Sequence, residues 1–365
     1  MQAAPVLPLN TLGFRTVDLM PSIFASTRTI AATYFALLLS LVPAQAQQNE
    51  IAARVDAAVQ GWMDQYSIAD SEVALAQHGQ LIGSLGHGWK PGDKQPVASL
   101  SKAITGFCAA KLMDQGKIRP QDTLGQVLGT SIMMPKDPRF ASITIEQLLT
   151  HRSGLSRNAF DDAKDHNVEE SFASATQAPL DNDPGSTVSY SDSAYLVLGY
   201  VIQHVAKARY EDVCSQVFTD AGLPKTAGVI DPTLAARAPN GGWAIDAEDY
   251  AKLLVALEHF GTASKAWLQG LADDDAYFKN GPCARFHEGQ AYGFGFCRKH
   301  SAQGIAYYHD GLLHFHPPFY KKTGGSFFFV NEQGVAAVVI FSGENGGDAY
   351  KALENAVIQA MHAKS

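Results

Sequence analysis

Two side chains three residues apart, the Ser99 hydroxyl and the Lys102 amine, share one face of any helix that starts near Ser99. That spacing sets a nucleophile beside a base. A serine hydroxyl is weakly nucleophilic at neutral pH and needs a neighbour to take its proton. Lysine does this only when burial or nearby cations bring its pKa below the ordinary value of about 10.4. A helix N-terminus adds partial positive charge and free backbone N–H groups, which suit an oxyanion forming on an acylated serine. The same letters also spell an N-cap serine followed by a solvated lysine, so the pair needs support from the rest of the chain.

The helix behind the pair carries Ile104, Phe107, Cys108 and Leu112 as a buried stripe, a rigid mount for the serine, with Cys108 read as a core residue. Upstream, Ile51–Tyr66 has helical periodicity, and Glu72–Gln77 with Gln80–Gly86 forms a hairpin around His78-Gly79. Thr144 with Gln147 is a capping-box pattern opening a short helix that Gly154 stops. His151 there is read as structural, since Ser99 already has its base. Another helix starts within Val188–Ile202, capped by Ser191 or Asp192. Tyr190 falls just before it, either projecting into a cleft or buried with its hydroxyl satisfied. Asn240–Tyr250 leads into a helix over Ala251–Leu257. Tyr320–Val330 and Val335–Phe341 pair around a turn at Asn331–Gly334, and Tyr350–Ala363 is a terminal helix that packs beside the first. The sum is an α+β body.

With 365 residues, 46% of them hydrophobic, the chain can bury a large core as one composite domain or two interleaved ones. A net charge of -8 and no dense Lys/Arg run argue against a nucleic-acid surface, so the expected partner is a small molecule or peptide. Arg28, the apolar run Ile30–Val42 and Ala44-Gln45-Ala46 read as a signal peptide over residues 1–46, with Met20 as an alternative start. The apolar run is too short for a stable membrane span, so residues 47–365 are expected in the periplasm or secreted. Export permits disulfides, and Cys283 and Cys297 are spaced to staple a loop around the strand-like Ala291–Phe296.

Ser99-x-x-Lys102, Tyr190-Ser191-Asp192 and Lys322-Thr323-Gly324, in this order, resemble the three motifs of the serine β-lactamase and penicillin-binding-protein superfamily. Ile145–Leu155 and Gly241–Asp249 are similar to framework segments of its class C branch. The resemblance implies an antiparallel sheet flanked by N- and C-terminal helices plus a mostly helical subdomain. It also implies an acyl-enzyme on Ser99, activation by Lys102, and proton relay by Tyr190. Lys322 would attract a substrate carboxylate, Thr323 would add a hydroxyl contact, and Gly324 and Gly325 would border the substrate. The N–H groups of Ser99 and Gly325 would form the oxyanion hole. No cofactor is implied.

Asp192 departs from the usual asparagine of the second motif. A carboxylate there is expected to raise the pKa of both Lys102 and Tyr190, to set an alkaline optimum, and to accept a substrate N–H. The third motif has a rival in His309-Asp310-Gly311, similar to the His-x-Gly of related esterases, and Lys322 is preferred because a long strand follows it. His314 and His316 lack a third ligand, so no metal is expected. Two other functions stay open: a non-catalytic module that binds cell-wall fragments, and a short-chain esterase of the same fold.

Overall fold

The computed structural model describes residues 47–132, 134–161, 164–279, 281–283, 290–301, 304–313, 324–343 and 347–363. The signal-peptide reading, Lys322, Thr323, His314 and His316 lie outside them. Seven antiparallel strands run in the order β2 (Gln80–His87), β1 (Ser71–Gln77), β10 (Val335–Ser342), β9 (Gly324–Val330), β8 (Gly304–Leu313), β7 (Phe296–Ser301), β6 (Gln290–Gly293). A small second sheet joins β3 (Gln95–Pro96), β5 (Trp243–Ile245) and β4 (Val229–Ile230).

The strands β1, β9 and β10 are buried along nearly their whole length, because helices cover them. The first helix, α1 (47–66), packs Val55, Val59 and Trp62 into the core beside the terminal helix, as its periodicity predicts. Trp62 Nε1 donates to the Ala349 carbonyl at 2.8 Å, and Arg54 Nε donates to Ala360 at 3.1 Å. The nucleophile's helix, α2 (Ser101–Asp114), is buried on almost every side, the signature of a central helix rather than an amphipathic one. Helices α3 (Ile145–Leu149), α4 (Asp192–Ala206) and α5 (Tyr210–Cys214) belong to the helical part, α6 (Ala247–Leu253) packs on β1 and β10 of the large sheet, and α7 (Gly347–His362) closes the fold.

Local chemistry explains most boundaries. The Thr144/Gln147 capping box is complete at α3. Ser191, not Asp192, caps α4, accepting from Ala194 N at 3.1 Å. Helix α6 starts earlier than its periodicity predicts, at Ala247, because the Asp246 side chain caps it through Asp249 N. The strand-like Ala291–Phe296 is two strands: Phe294 and Gly295 both take positive φ, 52° and 85°, and make a two-residue hairpin turn between β6 and β7.

Both cysteine pairs are bridged. Cys283–Cys297 matches its expected staple, with Cα atoms 5.8 Å apart. Cys108 is not a free core residue: it bonds Cys214 of α5 at a Cα separation of 5.2 Å, tying α2 to a helix 106 residues away. Its position on the apolar stripe concealed this partner, because the stripe alone explains burial.

Candidate active site

The chain enters α2 through a 3-10 turn, Ala98–Leu100, in which Ala98 holds φ 50°, a left-handed conformation that costs a residue with a Cβ. The strained turn presents Ser99. Lys102 Nζ donates to Ser99 Oγ at 3.1 Å, and the Tyr190 hydroxyl donates to the same oxygen at 2.9 Å. Lys102 donates as well to Asp192 Oδ1 at 2.6 Å and to the Asn240 carbonyl at 2.7 Å. Three acceptors thus meet the three N–H bonds of a lysine ammonium.

Each partner is anchored in turn. The segment around Asn240 is strapped to α2, because Thr105 Oγ1 donates to Pro239 O at 2.6 Å and Trp243 N donates to Ser101 Oγ at 3.1 Å. With its amide turned so that nitrogen faces the carboxylate, Asn158 donates to the second oxygen of Asp192 at 3.2 Å, and the Asp192 backbone N–H donates to Arg157 O at 2.9 Å. Lys102 is covered from behind by the β6–β7 turn: a Cβ on Gly295 would collide with the Lys102 carbonyl, and one on Gly106 with that of Phe294.

Burial and charge compete at Lys102. Burial drives its pKa down, while Asp192 pulls it up, and the balance is below the ordinary lysine value. The expected rise is therefore corrected in its net sign, although Asp192 acts in the expected direction. Tyr190 is raised well above the ordinary phenol, first by burial and then by Asp192, with Asp310 adding to it. For Asp192, burial opposes ionisation, but Lys102, Arg237 and Arg157 outweigh it and hold the carboxyl below its usual range.

Strand β8 brings a third group to the site. A Cβ on Gly311 would stand 2.9 Å from Ser99 N, 2.8 Å from Val97 O and 2.6 Å from Ser326 Oγ, so glycine alone lets this strand lie against the nucleophile's turn. Tyr350 of the terminal helix donates to Gly311 O at 2.6 Å, and Ser326 of the neighbouring β9 donates to Val97 O at 2.7 Å, just ahead of the turn. Two residues upstream, buried His309 meets the Tyr292 hydroxyl at 3.2 Å, its ring 6.3 Å from that of Tyr190. The His309-Asp310-Gly311 tripeptide is therefore at Ser99. Gly324 and Gly325 lie one strand further on, Gly325 paired with Leu312 and Phe341, and a Cβ on Gly325 would meet the Tyr350 ring.

His151 is buried behind Tyr190, ring centroids 4.5 Å apart, and its Nδ1 accepts from Ser191 N at 3.2 Å. Burial, then Lys102, His309 and Arg157, hold it well below its ordinary pKa, so it stays neutral. Asn240, Asn158 and Arg157 were missed from the sequence. The segment that carries the last two follows the capping-box helix α3, which was the available signal. A separate cavity of about 870 Å³ is lined by Trp243, Arg209 and Lys225 among others. Its two cations are paired within the lining, Arg209 with Glu211 and Lys225 with Asp212.

An oxygen nucleophile held by an amine and a phenol, beside backbone donors, is equipped for acyl transfer. Among the described residues no group of three or more His, Cys, Asp or Glu side chains could hold a metal ion. The family profile described as Beta-lactamase matches residues 55–361. The chain belongs to the β-lactamase family. Within the serine β-lactamase and penicillin-binding-protein superfamily, it is similar in fold to EstCE1, a hydrolase with promiscuous acyltransferase activity. That likeness has a TM-score of 0.65 and 19% identity, covering 86% of this chain and 99% of the other. A class C β-lactamase from Rhodobacter sphaeroides gives a TM-score of 0.64 at 15% identity, covering 85% and 99%. Protein flp of Staphylococcus aureus (strain MW2) is 25% identical over 188 residues, 48% of this chain and 37% of flp. The chain thus spans little more than a third of the length of the curated relatives it matches first.

Proposed function

We propose that this member of the β-lactamase family is an exported serine hydrolase that cleaves an amide, ester or β-lactam through an acyl-enzyme on Ser99. The carrying observation is the Ser99 oxygen held by both Lys102 and Tyr190. In the first step the free-amine fraction of Lys102 takes the Ser99 proton as Oγ bonds the substrate carbonyl carbon. The Tyr190 phenol passes its proton to the departing nitrogen or oxygen and is reprotonated from the Lys102 ammonium. Water then attacks the ester on Ser99, loses a proton by the same route, and releases Oγ and the acid. Backbone N–H groups at the strained Ser99 turn would stabilise the oxyanion in both steps.

Export is supported by the targeting pattern of residues 1–46 and by two disulfides. No helix among the described residues is long and apolar enough to cross a membrane. A non-catalytic, fragment-binding role fits less well, because a binding module has no need of an amine and a phenol on one serine oxygen. The test is the intact mass of the mature protein with a penicillin and with an activated ester, Ser99→Ala as control. A Ser99-dependent adduct, or Ser99-dependent loss of either compound, is expected. Loss that persists in Ser99→Ala refutes the assignment.

A further inference from the structure

The segment that follows α3 places at the site a cation that makes no ion pair among the described residues. Of the eight described arginines, six are paired: Arg54 with Glu50, Arg119 with Asp122, Arg139 with Asp137 and Asp183, Arg152 with Asp274, Arg209 with Glu211, and Arg298 with Asp273. Arg237 also has partners. Arg157 is exposed and makes no ion pair among the described residues. Its guanidinium carbon stands 5.5 Å from the centre of the Tyr190 ring.

The root of this side chain is fixed. Arg157 O accepts the N–H groups of Asp192 at 2.9 Å and Ser193 at 3.2 Å, so the residue is pinned to the start of α4. Asp192 feels this charge but is not in an ion pair with it: one carboxylate oxygen takes Lys102 and the other faces Asn158. A cation so placed, with its hydrogen-bonding edges unclaimed by any acid among the described residues, is suited to an anionic group brought by a ligand.

We propose that Arg157 is a substrate-binding residue that takes a carboxylate carried on the leaving group. This rests on the hydrolase reading above, in which Tyr190 gives its proton to the leaving atom. That atom must touch the Tyr190 hydroxyl, so groups a few bonds beyond it pass along the ring that Arg157 overhangs. The residue discriminates between anionic and neutral leaving groups, and it does so without entering the proton relay.

The probe is a matched pair, the phenyl and 3-carboxyphenyl esters of N-benzoylglycine, each kcat/KM divided by that ester's own hydroxide-catalysed rate. Wild-type protein is expected to favour the carboxylated ester by about tenfold to a hundredfold, the worth of a charge-assisted hydrogen bond. Arg157→Gln is expected to bring the ratio near one, and Arg157→Glu to invert it. Added salt should compress the wild-type ratio, a readout that needs no variant to fold. Equal rates in wild type, or a preference that survives Arg157→Gln in a protein with native circular dichroism, overturn the assignment and leave the hydrolase reading intact. Cleavage of neither ester, with no label on Ser99, overturns both.

Discussion

Replacing Asp192 with asparagine should move the pH dependence of acylation toward acid. The carboxylate lies 2.6 Å from Lys102 Nζ and pulls the amine's pKa up against the burial that drives it down. Two unit charges about 4 Å apart at an effective dielectric of about 20 attract by about 4 kcal/mol. Part of that survives in Asp192→Asn, because the amide oxygen still accepts from the ammonium. Neighbouring charges commonly move a pKa by about 1 to 3. A shift of about 2, or about 3 kcal/mol, is the working figure. With its acceptor charge gone, Lys102 releases its proton at lower pH, so the rising limb of kcat/KM should move down by about two pH units. The plateau should fall as well, since a weaker base drives Ser99 less. The assay is kcat/KM for a neutral ester from about pH 5 to about pH 10, which keeps Arg157 out of the comparison. A limb that stays in place, or moves toward alkali, refutes the electrostatic role given to Asp192.

Gly311→Ala should cost about a hundredfold in kcat and about 1–3 kcal/mol of stability, because the new Cβ meets Ser99 N at 2.9 Å and Val97 O at 2.8 Å and pushes the strand off the nucleophile's turn; steady-state kinetics with thermal unfolding check it. Buried Glu72 accepts from Gly92 N at 2.8 Å and Ala247 N at 3.0 Å, yet burial pushes its pKa up to about 7 from 4.5. The folded state therefore binds this proton more tightly than the unfolded chain. Stability should fall as pH rises from 4.5 to about 7 and then level off, losing at most about 3 kcal/mol. Urea unfolding of Glu72→Gln should show a constant offset without that slope, and parallel curves for the two proteins would count against it.

Local chemistry was legible in the sequence and distant pairing was not. Ser99 and Lys102 are three residues apart, and the capping boxes and turn residues act within one helical turn, so their spelling fixes their geometry. Tyr190 was placed by the cap that follows it. Which strand docks against the Ser99 turn is instead a non-local outcome. β8 conceals itself because Tyr307-Tyr308-His309-Asp310-Gly311 has no clean alternation. Only the collision that any side chain at Gly311 would cause reveals that strand's place. Likewise Cys108 looked fully explained by its stripe, and nothing near it pointed to Cys214.

The glycine contact between α2 and the β6–β7 turn bears on when the protein becomes reactive. Lys102 is translated early, whereas Asp192 and Asn240, which hold its amine, the turn that packs on its backbone, and the strand that carries Gly311 are all made later. Until those partners are assembled around it, the amine lacks the burial that lowers its pKa, and Ser99 lacks its base. Reactivity is thereby a late product of folding. A nascent or truncated chain holds the nucleophile and its base in sequence but not in function, and acylation of Ser99 reports that the C-terminal half has closed over the N-terminal one.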